Sequence, residues 1–326
     1  MGPCTRPAAR PRTPPSTRRR PRPTDRFWGF GGAFRYGACP ECGTWVLDPR
    51  PDPAEMGRWY AGYYPEAEAA FRRRAWQKYK PRRALGIDGM RALDTKIRLG
   101  RLGLRWSAET RVLDAGCGAG GFLAGLRHET GAQVRGVDFN PECQAFAAEV
   151  YRLPVDTGEL KAQAYPDAAF DLVTTWHCLE HTYDPAAELA EHLRITRPGG
   201  FLVVEVPTPS PLAWLFRGRW FFLQAPTHLY HLRPRALRAL MEQAGWRVRQ
   251  VRRPWLPSEL AGSLLMLFGI RRFVPGVMYG KGVAARLVQA LFGLLLLIDV
   301  PVTLLLALGA ATGGLRLIGQ RPEDAA

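Results

Sequence analysis

A glycine-rich turn between an apolar strand and an apolar helix constrains the fold of this chain more than any other stretch. The turn has the sequence Asp114-Ala115-Gly116-Cys117-Gly118-Ala119-Gly120-Gly121, and apolar residues lie on both sides of it. Glycine permits positive φ angles and lets a ligand lie against the main chain. The positive end of the following helix adds N–H groups that favour such a ligand. The pattern predicts a buried parallel strand, a ligand-binding turn and a helix that begins near Ala119.

The glycine spacing fits two classes of cofactor site. Gly116, Gly118 and Gly121 match the GxGxxG fingerprint of dinucleotide-binding folds. Gly116, Gly118 and Gly120 follow Asp114 in the order acidic-x-G-x-G-x-G, which resembles the first motif of class I methyltransferases that use S-adenosylmethionine. The turn alone is compatible with a dehydrogenase and with a methyltransferase.

An acidic residue ends the next predicted strand, Val134 to Asp138. In nucleotide-binding α/β folds, an acid about 20 residues beyond the glycines accepts hydrogen bonds from ribose hydroxyls. Asp138 occupies that place. Both cofactor classes contain a ribose, so Asp138 predicts a nucleoside ligand without deciding between them.

Two later stretches favour the methyltransferase. Phe170 to His181, which ends in His-Cys-Leu-Glu-His, resembles the segment after the fourth strand of class I S-adenosylmethionine-dependent methyltransferases. Arg197-Pro198-Gly199-Gly200 precedes the apolar run Phe201 to Pro207 and resembles their fifth strand. The resemblance covers Arg111 to Val251 and the last strand. It implies an α/β fold with a Rossmann-like, seven-stranded, mostly parallel sheet, helices on both faces and an antiparallel last strand.

The resemblance also implies the cofactor and its contacts. S-adenosylmethionine would be the methyl donor, with Asp138 at its ribose, Glu159 at the adenine amino group and Phe139 against the adenine face. Trp176 and His177 would line the pocket. The cofactor-binding residues implied by the resemblance are Asp114, Gly116, Cys117, Gly118, Gly120, Asp138, Phe139, Glu159, Trp176 and His177.

Histidines are the candidates for acceptor activation, because an imidazole has a pKa near neutral and suits a general base. His228 belongs to a Pro-Thr-His-Leu stretch, and in the family this stretch lies over the open end of the sheet. His181 follows Glu180 in the His-Cys-Leu-Glu-His motif. We predict that His228 and His181 are the catalytic residues, with His228 on the substrate side.

One cysteine pair precedes the catalytic fold. Cys39 and Cys42 form a C-x-x-C-G turn that resembles the end of an N-terminal zinc ribbon found in several bacterial methyltransferases. A four-ligand zinc site needs a second pair, and the upstream segment contains only Cys4. We therefore predict a relic of a zinc ribbon and no bound metal.

The charge balance indicates an anionic partner. The 326 residues include 45 Lys+Arg and 29 Asp+Glu, which gives a net charge of +16. We predict a membrane surface as partner and no nucleic acid, and the oligomeric state stays open. The six cysteines do not form a disulfide framework, and no apolar segment follows the basic N-terminus as in a secretory signal. These features predict a cytoplasmic protein at the inner face of the cell membrane.

An apolar insertion follows the predicted sixth strand. Leu260 to Ile270 and Leu287 to Ala311 are apolar, and the second run is long enough to span a bilayer. Asp299 and Pro301 interrupt its centre, where an acid is costly and a proline breaks a helix. We predict a pair of short helices that dip into one leaflet, and the alternative is a buried helical cap or dimer face.

The sequence thus predicts a methyltransferase with a small-molecule or lipid-like acceptor, such as a quinol precursor or a lipid-linked sugar. The alternatives are an NAD-dependent oxidoreductase and an inactive membrane-associated binding protein. The predicted units are a disordered basic arm (1–26), a zinc-ribbon-like remnant (27–65), the methyltransferase domain (66–255), the hydrophobic helical insertion (256–314), and the last strand with the tail (315–326).

Overall fold

The computed structural model describes residues 34–60, 87–270 and 282–323. The predicted basic arm lies outside these residues. The strands are β1 (Arg35–Ala38), β2 (Trp45–Asp48), β3 (Arg111–Ala115), β4 (Gln133–Asp138), β5 (Val155–Thr157), β6 (Phe170–Trp176), β7 (Thr196–Pro207), β8 (Tyr230–His231), β9 (Arg247–Arg252) and β10 (Gly314–Gln320). The helices are α1 (Pro53–Tyr60), α2 (Ile87–Arg101), α3 (Gly121–Thr130), α4 (Pro141–Phe146), α5 (Pro185–Ile195), α6 (Pro211–Phe216), α7 (Pro234–Gln243), α8 (Glu259–Leu267) and α9 (Val283–Leu308).

A seven-stranded sheet organises the fold, with the strand order β5-β4-β3-β6-β7-β10-β9. The pairs from β5 to β7 are parallel, whereas β10 is antiparallel to both β7 and β9. This arrangement confirms the fold predicted from the sequence. The strand order reverses beside β3, and ligands of open α/β sheets bind at the carboxyl ends of the strands next to such a reversal.

Successive residues of the central strands enter opposite cores, because side chains alternate across a strand. Val112 of β3 and Leu172 of β6 pack with Leu99 and Leu123 of α2 and α3. Leu113 and Val173 pack with residues of α5 and α7, including Leu237. Both faces of the sheet are therefore covered, which explains why its strands are continuous apolar runs.

The N-terminal hairpin β1–β2 is joined to the catalytic fold. β2 pairs with β8, so that β1, β2 and β8 form a second sheet of three strands. The hydroxyl of Tyr36 donates to the carbonyl oxygens of Leu223 and His228, at 3.0 and 2.7 Å. Trp45 packs edge-on against Trp220, with ring centroids 6.4 Å apart. This hairpin therefore supports the loop that carries His228.

The apolar insertion between β9 and β10 is a helical hairpin, α8 and α9. The prediction of two short helices broken at Asp299 and Pro301 is wrong, because α9 continues for 26 residues through Pro301. The carboxylate of Asp299 is fully buried and accepts hydrogen bonds from the backbone N–H groups of Ser258 and Ala261, at 2.9 and 2.8 Å. The acid thus faces the protein and binds the start of α8, so it does not interrupt the apolar side. Within the described residues, α9 alone is long and apolar enough to cross a membrane.

Candidate functional site

The glycine-rich turn after β3 has left-handed backbone at three positions. Gly116, Gly118 and Gly120 have φ angles of 73°, 50° and 78°. The N–H groups of Gly116 and Cys117 donate to the carbonyl oxygen of Val137, at 2.8 and 3.1 Å. These bonds hold the turn against β4. A Cβ atom at Gly116 would lie 2.0 Å from the Sγ atom of Cys178, so this position requires glycine for space as well as for φ.

Asp138, at the end of β4, holds the turn and retains capacity for a ligand. Its Oδ2 accepts the N–H of Gly118 at 2.9 Å, and its Oδ1 accepts the N–H of Asn140 at 3.0 Å. Burial raises the pKa of Asp138, and these backbone hydrogen bonds oppose that rise. Each carboxylate oxygen can accept a further hydrogen bond, so Asp138 fits the role of a ribose-binding residue.

Two exposed residues lie beside Asp138. Phe139 is 46% exposed and follows it directly in the chain. The N–H of Gly158 donates to the backbone oxygen of Asp138 at 2.9 Å, which places the exposed Glu159 at the same edge of the sheet. The structure therefore brings together the three residues expected at the nucleoside.

Asp114 and Cys117 face the interior instead. Asp114 is 1% exposed, and the Oγ1 hydroxyl of Thr174 donates to its Oδ1 at 2.6 Å. Burial raises the pKa of Asp114 to about 8. The side chain of Cys117 is buried against β4 at Gly136, where a Cβ would lie 2.4 Å from the Cys117 Sγ. Asp114 thus ties β3 to β6 beneath the turn, and Cys117 holds the turn through its backbone.

A buried ion network supports the wall formed by Trp176 and His177. The guanidinium carbons of Arg91 and Arg316 lie 5.2 and 4.9 Å from the Trp176 ring centroid. Both arginines form salt bridges with Glu205, which is fully buried. Their charges hold the pKa of Glu205 well below its usual value, although burial opposes this. His177 Nε2 lies 3.2 Å from a Glu205 oxygen. This ion network was not predicted from the sequence, although an acid within the apolar run of β7 is a signal for it.

Glu180, His181 and His228 form a compact cluster. One potential ligand atom from each residue lies within 4.8 Å of the others. The His228 Nε2 is 3.9 Å from the Glu180 Oε1, and the two imidazole rings are 4.7 Å apart. Burial lowers the pKa of both histidines, most strongly that of His228. The rings are therefore neutral at pH 7, which is the form in which an imidazole nitrogen binds a cation.

His177 connects the two parts of the site. Its Nε2 faces Glu205 of β7 in the ion network, and its Nδ1 lies 3.6 Å from the Glu180 Oε1 of the cluster. Burial lowers the pKa of His177, but the carboxylates of Glu180 and Glu205 raise it by more, so its net shift is upward. The two predicted groups of site residues thus meet at one edge of the sheet.

Comparison with known proteins assigns the fold to a family. A profile described as a methyltransferase domain matches residues 62–251, which is more than half of the chain. The chain belongs to this methyltransferase family. S-adenosylmethionine is accordingly the cofactor of the family, and the comparisons give no support to the dehydrogenase or the inactive binding protein.

Two curated relatives and one solved structure give the range of the similarity. A Mycolicibacterium smegmatis protein assigned as an S-adenosylmethionine-dependent methyltransferase is 35% identical over 141 residues, covering 42% of this chain and 52% of that protein. The chain thus spans about half the length of that relative. The ubiquinone biosynthesis O-methyltransferase of Pseudomonas aeruginosa is 34% identical over 159 residues. The match covers 44% of this chain and 67% of that protein. A Galdieria sulphuraria structure assigned as a sarcosine dimethylglycine methyltransferase has a TM-score of 0.51 at 12% identity. The match covers 72% of this chain and 86% of that one, and it shows the fold alone.

Proposed function

We propose that this protein transfers the methyl group of S-adenosylmethionine to a small-molecule acceptor at the cluster of Glu180, His181 and His228. The observation that carries the proposal is the position of His177, which follows Trp176 at the end of β6, contacts Glu205 and lies 3.6 Å from Glu180. The cluster therefore lies beside the wall of the cofactor pocket, where an acceptor must be held for in-line transfer.

Different residues bind the donor and the acceptor in this proposal. Bound S-adenosylmethionine supplies a methyl group that is already activated on a sulfonium, so the protein chiefly aligns donor and acceptor. Asp138, Phe139 and Glu159 hold the nucleoside. His228 and His181 are the catalytic residues of this proposal: they bind the reacting group of the acceptor and promote loss of its proton. The acceptor atom gains the bond to the methyl carbon as the carbon–sulfur bond breaks, and the sulfur keeps that electron pair.

The surroundings of the cluster favour an acceptor with an apolar part. The backbone oxygen of Phe222 accepts the ring N–H of His228 at 2.9 Å. Phe222 packs against Trp220 and Phe221, with ring centroids 5.9 and 5.4 Å away. Phe221 in turn packs with Leu265 of the apolar hairpin. A quinol precursor or a lipid-linked sugar suits this setting, and one relative takes its name from ubiquinone biosynthesis.

The outer face of α9 supports attachment to a membrane. Its most exposed apolar residues lie within about 80° of one another, counted at 100° per residue. Asp299 and Thr303 are buried, and they lie about 180° from the centre of this face. The apolar face is therefore turned away from the protein. Its members are Val283, Leu287, Leu294, Leu297, Leu305 and Leu308, which are 62–79% exposed.

The topology of the sheet favours a helix that lies along the membrane. The hairpin leaves the sheet after β9 and returns as β10, which pairs with β9. Both ends of the insertion are thus on one side of the membrane. The 9 residues of α8 are too few for a second crossing, which needs about 20. We therefore place the protein on the cytoplasmic face of the membrane, with the apolar side of α9 in one leaflet.

Labelled S-adenosylmethionine and a lipid extract of the source organism test the methyl transfer. Wild-type protein should label one extracted compound, and His228→Asn should lower the rate at least 10-fold while calorimetry shows unchanged S-adenosylmethionine binding. Exposed His128 provides the control His128→Asn, which should keep the full rate. Labelling that is equal in His228→Asn would contradict the catalytic role.

Flotation with anionic vesicles tests the membrane attachment. Wild-type protein should float with the vesicles, and the double variant Leu294→Asp/Leu297→Asp should remain at the bottom while it still binds S-adenosylmethionine. Arg238→Asp, on the exposed face of α7, adds the same type of charge far in sequence from α9 and should still float. A double variant that floats normally would refute the assignment of this face.

A further inference from the structure

Glu180 is an unusual buried carboxylate. It is fully buried, and neither of its carboxylate oxygens has a hydrogen-bond partner, which is true of no other buried carboxylate among the described residues. Two imidazole nitrogens lie within ion-pair distance of its Oε1, His177 Nδ1 at 3.6 Å and His228 Nε2 at 3.9 Å, and both are longer than a hydrogen bond. A buried charge without a hydrogen bond is costly unless a cation balances it.

The two imidazoles of the cluster are oriented in the way that metal-binding histidines usually are. The Nδ1 of His181 donates to the carbonyl oxygen of Thr227 at 2.8 Å, and the Nδ1 of His228 donates to that of Phe222 at 2.9 Å. A metal-binding histidine commonly donates its other ring N–H to a carbonyl or carboxylate, which fixes its tautomer and direction. These two hydrogen bonds are a separate observation from the unpaired Glu180 carboxylate, and both observations indicate that a cation binds here.

We propose that Glu180, His181 and His228 bind one divalent transition-metal ion. Two imidazole nitrogens and one carboxylate oxygen suit zinc or manganese better than magnesium. Three protein ligands leave a position open, as in catalytic zinc sites. Tetrahedral ligands about 2.0–2.1 Å from an ion are about 3.3 Å apart, so small side-chain rotations would close the 3.9 Å gap between His228 Nε2 and Glu180 Oε1.

The metal site rests on the proposed function, because the acceptor would fill the open position. A hydroxyl oxygen on the ion has a lowered pKa and ionises near neutral pH. The hydroxyl proton would then leave to water, and His181 and His228 would promote its loss by holding the ion that binds the hydroxyl oxygen. The prediction of no metal from the sequence considered the Cys39–Cys42 pair, which has no third ligand group close to it among the described residues.

Metal analysis of the full-length protein, without an affinity tag, tests the site. Chelator-treated protein should take up one Zn²⁺ or Mn²⁺ per chain in calorimetry, whereas Mg²⁺ should bind at least 10-fold more weakly. Glu180→Gln should weaken Zn²⁺ binding at least 100-fold, and unchanged S-adenosylmethionine binding would show that the variant is folded. Cys39→Ser and the exposed His128→Asn should keep the stoichiometry of one.

Several outcomes would overturn the metal site, and they differ from those that overturn the methyl transfer. The site is wrong if no ion binds, or if Cys39→Ser loses the ion and Glu180→Gln keeps it. Metal-free protein that methylates at the full rate would also refute it and would leave the proposed function standing. Metal-loaded protein that transfers no methyl group to any extracted compound would refute the proposed function and leave the metal site standing.

Discussion

The turn that is predicted to bind the cofactor and the cluster that is proposed to bind the acceptor, the cofactor side and the acceptor side, satisfy their polar groups in different ways. On the cofactor side, both oxygens of Asp138 accept backbone N–H groups, from Gly118 and Asn140. On the acceptor side, the carboxylate of Glu180 has no hydrogen-bond partner, and it lies 3.9 Å from His228, which comes from a distant part of the chain. The first side is built by backbone within a short segment, and the second by side chains that only the tertiary fold brings together.

This difference determines how each side tolerates change. A backbone-built site depends on φ angles and close approach, so it fails when glycine acquires a side chain. A side-chain cluster depends on the chemistry of single atoms, so it loses function while the fold persists. The four predictions that follow test this contrast, from the largest expected effect to the smallest.

The largest effect is expected from Gly116→Val. A Cβ at this position would lie 2.0 Å from the Cys178 Sγ, on backbone with a φ angle of 73°. We expect at least a 100-fold loss of S-adenosylmethionine affinity in calorimetry, with partial unfolding seen by circular dichroism. Gly131→Ala is the control, because its φ is 74° but nothing lies within 4 Å of its Cβ. Normal binding by Gly116→Val would mean that the turn is not built as described.

The second effect is a pH dependence of stability caused by Asp114. Its pKa is raised to about 8 by burial, above the unfolded value of about 3.9. The protonated carboxyl of Asp114 therefore stabilises the folded state. This contribution is fully present below pH 4 and is lost as the pH rises through 8. We expect urea unfolding to show falling stability between pH 5 and 8, with a slope of up to about 1.4 kcal/mol per pH unit from this group.

Asp114→Asn removes the titrating group and should flatten the decline. Burial raises the pKa of Glu188 to about 7, so this group also makes the free energy of unfolding fall as the pH rises. Glu188→Gln should therefore remove part of the pH dependence that remains in Asp114→Asn. An Asp114→Asn protein with the same slope as wild type would show that this carboxyl does not titrate in the folded state as described.

The third effect concerns the ribose contact. Asp138→Ala should weaken S-adenosylmethionine binding by about 1–3 kcal/mol, which is the usual value of hydrogen bonds to a charged group. Calorimetry of the purified variant gives the number directly. The matched control is Asp156→Ala, which removes a neighbouring acid whose partners are Arg135 and Tyr165. Equal losses in both variants would indicate a general charge effect and would remove Asp138 from the ribose site.

The smallest effect is expected at the hairpin. Asp299→Ala leaves the N–H groups of Ser258 and Ala261 without their acceptor, and a lost buried hydrogen bond costs about 1–3 kcal/mol. We expect a melting temperature lower by several degrees in detergent, with unchanged affinity for S-adenosylmethionine. Asp299→Asn retains one acceptor oxygen and should fall between alanine and wild type. A variant with an unchanged melting temperature would argue that the acid does not tie the two helices together.

The strands and the glycine-rich turn of the cofactor side were predicted from local signals, and the contacts of its residues with the cofactor stay a prediction. The turn from Asp114 to Gly121, the acid at Asp138 and the strand after Gly200 each lie within a few residues of their structural cause. The reversed strand order could be predicted only through the resemblance to a family, since β10 pairs with β7 and β9 from far along the chain.

The acceptor side was predicted less completely. His181 and His228 were named as catalytic, and that assignment stays a prediction. The role of Glu180 was missed, because the burial of a carboxylate cannot be seen in a polar motif. The break at Asp299 was wrong because periodicity does not show that an acid can cap a neighbouring helix. These features arise from pairs of residues that lie many positions apart.

The position of β10 has a consequence for the synthesis of the protein. β10 lies between β7 and β9, yet it follows α9 in the chain. A ribosome-bound chain that ends before residue 314 has β7 and β9 without the strand that joins them. The apolar helix therefore leaves the ribosome before the sheet is complete. The seven-stranded sheet is thus completed last, by a strand that is synthesised after α9.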